Sequence, residues 1–162
     1  MRILKVIFLI ICFYPLVNFS KTPSHPSHKS SSSKSAIVSI DVDLLSEGSE
    51  IKFDKQTINV KFGQSIHLTY RNKAPLDSEI THNVAIINLG FEDRLIASLK
   101  EHDYDLSKID QKYFVAKTKI LNPGESDTIT FKPKKPGVYT YICLMPGHGS
   151  MLGMKGYLTV QQ

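Results

Sequence analysis

The stretch "YICLMPGHGSMLGMKGYLTV", Tyr141 to Val160, decides how this chain is read. Its ends are apolar runs with strand character, and its middle gathers Cys143, His148 and the methionines Met145, Met151 and Met154. Pro146 with Gly147 and Gly149 supplies turn chemistry, so the segment reads as strand, connection, strand. Each residue alone has an ordinary explanation: cysteine is a small buried hydrophobe, methionine fills core gaps, and a "PGHG" turn needs no ligand. What sets the connection apart is the collection of soft sulfur and imidazole donors on one short loop.

Working outward, the chain from Ile37 alternates with period two and is broken by turns such as "FGQS", "NPGES" and "KPKKPG". The alternation predicts strands over 37–42, 50–53, 57–62, 65–71, 82–88, 115–120, 126–132, 137–143 and 155–160. Short strands at this spacing predict an all-β fold, a Greek-key sandwich or barrel. One stretch departs from it. "FEDRLIASLKEHDYDLSKID" places Leu95, Ile96 and Leu99 at helical spacing among charges, which predicts one short inserted helix.

The first twenty residues carry Arg2 and Lys5 ahead of an apolar run from Val6 to Phe19, the pattern of an export signal and shorter than an ordinary membrane span. Asn18 is a poor residue at a cleavage site after Ser20, so retention as a short N-terminal anchor is the alternative. Residues 21–36, "KTPSHPSHKSSSSKSA", have almost nothing to bury and read as a flexible tether, with His25 and His28 as solvated polar residues. Residues 37–162 form the folded domain. This order predicts an exported, periplasmic protein whose only contact with a membrane is an uncleaved N-terminus.

Charge excludes a further class. Five of the twenty basic residues, Arg2, Lys5, Lys21, Lys29 and Lys34, precede Ile37, which leaves fifteen against fifteen acidic residues in the domain. A nucleic-acid surface is not supported. Loss of the signal also removes Cys12, and Cys143 then remains as the single cysteine of an exported chain.

Of the domain's other histidines, His67 lies on the polar side of "SIHLTY" and His102 on the charged side of the helical stretch, which makes both surface residues. His82 in "THNVAII" and His148 remain, with Cys143 and the methionines. Two imidazoles, one thiolate and a weak axial thioether form the ligand set of a mononuclear blue-copper centre. Structural zinc usually gathers more thiolates, and thioether is a poor zinc ligand.

With "IKFDKQTINV", "THNVAI", "VAKTKILNPGESDTITFKP" and the opening stretch on the page, the chain resembles the cupredoxins of the azurin and auracyanin type from about Ser49 to Val160. The resemblance implies one type 1 copper cycling between Cu(I) and Cu(II) in an electron-transfer protein, not an enzyme. His82, Cys143 and His148 match the equatorial ligands. Met154, in "GMKG", matches the axial one, with Met151 as the lesser alternative, and Asn83 matches the residue that ties the two ligand loops together. Met145, Pro146, Gly147, Met151 and Leu152 match an apolar docking surface around the exposed histidine edge. A transient redox partner such as a c-type cytochrome and a monomeric state are implied as well. The sequence departs from azurin in four places: two extra residues lie between His148 and Met154, Thr81 replaces a glycine, Leu144 replaces a hydroxyl residue, and azurin's disulfide is absent. An exported copper carrier or chaperone is the alternative function.

Overall fold

A computed structural model describes residues 38–162. The signal or anchor expected over residues 1–20 and the tether over residues 21–36 lie outside the described residues. Eight strands run in chain order: β1 (Ser39–Glu47), β2 (Thr57–Lys61), β3 (Ser65–Lys73), β4 (Ala85–Asn88), β5 (Phe114–Lys117), β6 (Ser126–Phe131), β7 (Gly137–Ile142) and β8 (Lys155–Gln161). One helix, α1 (Glu92–Glu101), follows β4. Among the described residues no helix is long and apolar enough to cross a membrane.

The strands form two sheets. One has the order β1-β3-β6, and the other has β2-β8-β7-β4-β5. β1 runs parallel to β3 and β2 parallel to β8, whereas the remaining pairs are antiparallel. The two sheets do not close into a barrel, so the fold is a sandwich. The strands expected over 82–88 and 115–120 shorten to Ala85–Asn88 and Phe114–Lys117, and two further expectations change. Residues 50–53 form no strand, and the first strand runs on to Glu47, paired residue for residue with β3. The buried residue of the missing strand, Phe53, is used instead as a plug: its ring meets Tyr70 and Tyr141 edge-on at centroid distances of 5.6 and 5.4 Å.

Alternation decides what each strand buries. In β3, Ile66, Leu68 and Tyr70 point between the sheets and are almost fully buried. β4 is different, because "AIIN" follows Val84 as an unbroken apolar run. Val84 and Ile86 join the core between the sheets, while Ala85 and Ile87 join a second cluster with Leu95, Leu99, Ile109, Ile142 and Leu144. Both faces of this strand are covered, which is why its pattern is continuous rather than alternating. Helix α1 is the cover.

Replacement of Leu95 by Ala opens a cavity under α1 and is expected to destabilise the domain by about 2–5 kcal/mol. A urea titration followed by circular dichroism checks this. An unchanged midpoint would show that the helix is not an integral part of the fold.

Candidate metal centre

The five-stranded sheet delivers its chemistry to one end of the sandwich. Cys143 follows the last residue of β7, Met154 precedes the first of β8, and the loop between them is closed by three hydrogen bonds. Cys143 N donates to Met154 O (3.0 Å), Met154 N to His148 O (2.9 Å), and His148 N to Met145 O (3.0 Å). His82 arrives from another part of the chain, just before β4. It is fixed by an antiparallel bridge to Leu121, with His82 N donating to Leu121 O (3.1 Å) and Leu121 N to His82 O (2.7 Å). Val84 N donates to Thr118 Oγ1 at 3.0 Å, which extends this attachment toward β4.

Three donor atoms meet there. His82 Nδ1 lies 3.2 Å from His148 Nδ1, and Cys143 Sγ lies 3.8 Å and 3.6 Å from the two nitrogens. A trigonal ion with bonds of about 2.0–2.1 Å to nitrogen and about 2.3 Å to sulfur spans a triangle with edges of about 3.5 and 3.8 Å. The observed triangle is close to that size, so a single metal ion fits these three residues. Among the described residues, His82, Cys143 and His148 form the one group of three or more His, Cys, Asp or Glu whose donor atoms all lie within 4.8 Å of one another.

Burial explains the protonation of the metal-free site. It pushes the Cys143 thiol up to about 11, although backbone N–H groups of Asn83 and Met145 favour the thiolate and offset part of the rise. Burial also lowers His82 to about 4, with the nearby His148 adding to the effect, and it lowers His148. Both imidazoles are therefore neutral near pH 7, the form that binds metal, while the thiol waits for a cation to displace its proton.

The sequence-matched residues fall into place unevenly. Met154 is fully buried in the same core cluster as Cys143, whereas Met151 is 84% exposed. Asn83 is buried, and its Oδ1 accepts from Leu144 N at 2.8 Å, so it links the His82 segment to the residue after Cys143. Thr81 Oγ1 donates to Met145 Sδ at 3.5 Å. Pro146, Met151 and Leu152 are exposed, and Gly147 and His148 are partly exposed. Met145 differs from the expected docking surface: it is buried and packs in the core cluster. His67 lies beside Asp41, and His102 closes α1, both away from the centre.

One residue was missed. Asn72 is fully buried and continues the inward face of Ile66, Leu68 and Tyr70; its Nδ2 donates to Ile80 O (2.8 Å) and Leu121 O (3.0 Å), and its Oδ1 accepts from Ala74 N (3.1 Å). It therefore holds both the approach to His82 and its bridging partner. The signal was a polar residue in an apolar register.

A two-sheet sandwich with two histidines and a cysteine converging at one end defines a copper-binding domain, and the family comparison agrees. Residues 40–161 match the model of the copper-binding proteins of the plastocyanin/azurin family. The chain belongs to this family. It is similar to auracyanin-B of Chloroflexus aurantiacus, 30% identical over 125 residues, which cover 74% of this chain and 51% of that protein's own length. It is likewise similar to azurin of Bordetella pertussis, 32% identical over 120 residues, covering 67% of this chain and 76% of the azurin. Among solved structures, dithionite-reduced auracyanin from Roseiflexus castenholzii superposes with a TM-score of 0.66 at 29% identity, over 77% of this chain and 99% of that one.

Replacement of Asn72 by Ala leaves the Ile80 carbonyl and the Ala74 N–H without their side-chain partner and takes from Leu121 O one of its two donors, the other being His82 N, each unpaired buried group costing about 1–3 kcal/mol. The expected result is a lower urea midpoint together with weaker copper retention against a chelator. A stability loss with unchanged copper retention would show that Asn72 supports the sheet and not the ligand.

Proposed function

We propose that this protein is an exported electron carrier with one type 1 copper, held by His82 Nδ1, Cys143 Sγ and His148 Nδ1, with Met154 as the weak axial ligand. The observation that carries the reading is the buried triangle of two imidazole nitrogens and one sulfur, sized for a single ion. Copper would supply a one-electron couple there, with thiolate and imidazole accommodating both oxidation states.

The chain's own residues supply the rest. Hydrogen bonds from Cys143 to Met154 and from Met154 to His148 tie the loop ends together, which limits rearrangement when the charge changes. Asn83 connects the two ligand-bearing segments. His82 and Cys143 are closed off from solvent, whereas His148 is partly exposed and so is the edge through which an electron leaves. Around it, Pro146, Met151 and Leu152 offer exposed, uncharged surface suited to brief contact with a redox protein such as a c-type cytochrome. Burial of the axial candidate supports Met154 over Met151. A copper carrier that hands on its metal requires an accessible ligand set, and two of the three convergent ligands here are buried.

Oxidised, copper-loaded protein is expected to absorb intensely in the visible through thiolate-to-Cu(II) charge transfer. Cys143→Ser is expected to abolish that absorption and keep the fold. A colourless oxidised protein that yields its copper readily would favour the carrier.

At the axial position, Met154→Leu is expected to raise the reduction potential by an amount on the order of one decade in the Cu(II)/Cu(I) balance, or about 59 mV. Met151→Leu is expected to leave it unchanged. The reverse result in voltammetry would move the axial role to Met151.

A further inference from the structure

The end of the sandwich remote from the metal centre has a charge pattern of its own. Strand register gathers it: Ser39 lies beside Ser65, Lys61 beside Gln161, Ile66 beside Phe131 and Gly137 beside Val160. Val38, the turn after Lys61 and the "KPKKPG" turn after Phe131 therefore share one end. Cys143 leaves β7 at the other, roughly 20 Å away at about 3.3 Å per residue.

Lys61, Lys132, Lys134 and Lys135 are all exposed there. None of the four makes an ion pair among the described residues, whereas neighbouring Lys112 is held by Asp110 at 2.7 Å. The turn that presents three of them is fixed, because Tyr139 Oη donates to Lys135 O at 2.8 Å and Pro133 is buried. Val38 and Phe62, 60% and 46% exposed, lie at the same end. With Ile40 and Val60 they line a shallow groove flanked by Lys61 and Lys132. The domain is formally neutral, so this end is a local concentration of unpaired cations around apolar side chains.

Ammonium groups that meet phosphates, around apolar side chains that enter the headgroup layer, are what an anionic bilayer surface recognises. Chain connectivity favours the same partner. The sequence preceding Val38 holds three more lysines in residues 21–36 and, before them, the apolar run Val6–Phe19. Any attachment through that run joins the domain at its lysine end. We propose that the face formed by Lys61, Lys132, Lys134, Lys135, Val38 and Phe62 docks on an anionic phospholipid surface and holds the domain with His148 pointing away from it. Lipid contact at this face does not require copper.

The test uses the full chain with phosphatidylcholine vesicles, with and without phosphatidylglycerol, at low and high salt. So that any lipid binding through the apolar run cancels, the readout is the ratio of binding with phosphatidylglycerol to binding without it. The triple variant K61E/K132E/K134E is compared with K73E/K100E/K119E, which changes the net charge equally on other parts of the surface. The expected result is a ratio that falls roughly tenfold or more in the first variant and far less in the second, since each basic residue at an anionic surface contributes separately. Wild-type binding should also weaken at high salt. Equal losses in the two variants would reduce the effect to net charge and overturn the proposal, as would a wild-type ratio near unity. Hydrogen exchange on vesicle-bound wild type gives an independent reading: protection is expected at residues 61–65 and not at 147–152. Protection at 147–152 alone, or tight binding to an acidic protein with no dependence on phosphatidylglycerol, would also overturn it. Circular dichroism of both variants separates loss of binding from loss of fold, and an unaltered visible spectrum separates this outcome from any failure of the copper assignment.

Discussion

The hydrogen bond from Cys143 N to Met154 O is the constraint on which the rest depends. It continues the ladder of β7 and β8 by one rung beyond Ile142 and Lys155, so the ligand loop starts and ends on a rigid pair of strands. Burial raises the pKa of the thiol and lowers those of the imidazoles, so the metal-free site holds neutral groups and the thiolate that a cation needs is costly to form there. Strand pairing fixes these groups before any metal arrives, and a bound cation then recovers the cost of bringing them together.

His82 needs a second fixture, since it belongs to neither strand of that pair. Its bridge to Leu121 and the grip of Asn72 on the same segment supply one. Asn83 joins the two fixtures by accepting from Leu144 N. Leu144 itself turns to the opposite face of the sheet and packs with Leu95 and Leu99. Substitution of a hydroxyl residue by leucine after the ligand cysteine thus leaves the backbone contact to Asn83 in place and adds apolar packing under α1.

The ligand triad was legible because it rests on local spacing: Cys143, a turn and His148 lie on one loop, and His82 has its own Asn-flanked motif. Strand interiors were legible for the same reason, since period two is a local property. What failed to show was contact between distant segments. Residues 50–53 alternate like a strand, yet no neighbour offers them a ladder, and Phe53 is spent on Tyr70 and Tyr141 instead. The parallel pairing of β1 with β3 leaves no turn signal, because the two strands are not joined by a hairpin. Met145 was matched to a docking surface through the family resemblance of its loop, whereas the folded loop turns its side chain into the core. Asn72 alone left a trace, a polar residue where apolar alternation should have continued.

Two extra residues in the loop relative to azurin raise the question of whether Met154 can still reach the site. Backbone geometry shows where the extra length goes. Met151 N and Leu152 N both donate to Gly147 O, at 2.9 and 3.0 Å, which folds residues 147–152 into a compact surface turn. Gly147 at φ 78° and Gly153 at φ 72° provide the left-handed conformations at its two ends, where a side chain would be strained. Met151, Leu152 and Gly153 are exposed, so the additional length is carried outward. Beneath that turn, Met154 N still donates to His148 O, and Met154 O still accepts from Cys143 N. The loop thus carries its extra length at its solvent edge, with Met151 and Leu152 exposed, while Cys143, His148 and Met154 are joined to one another through their backbones.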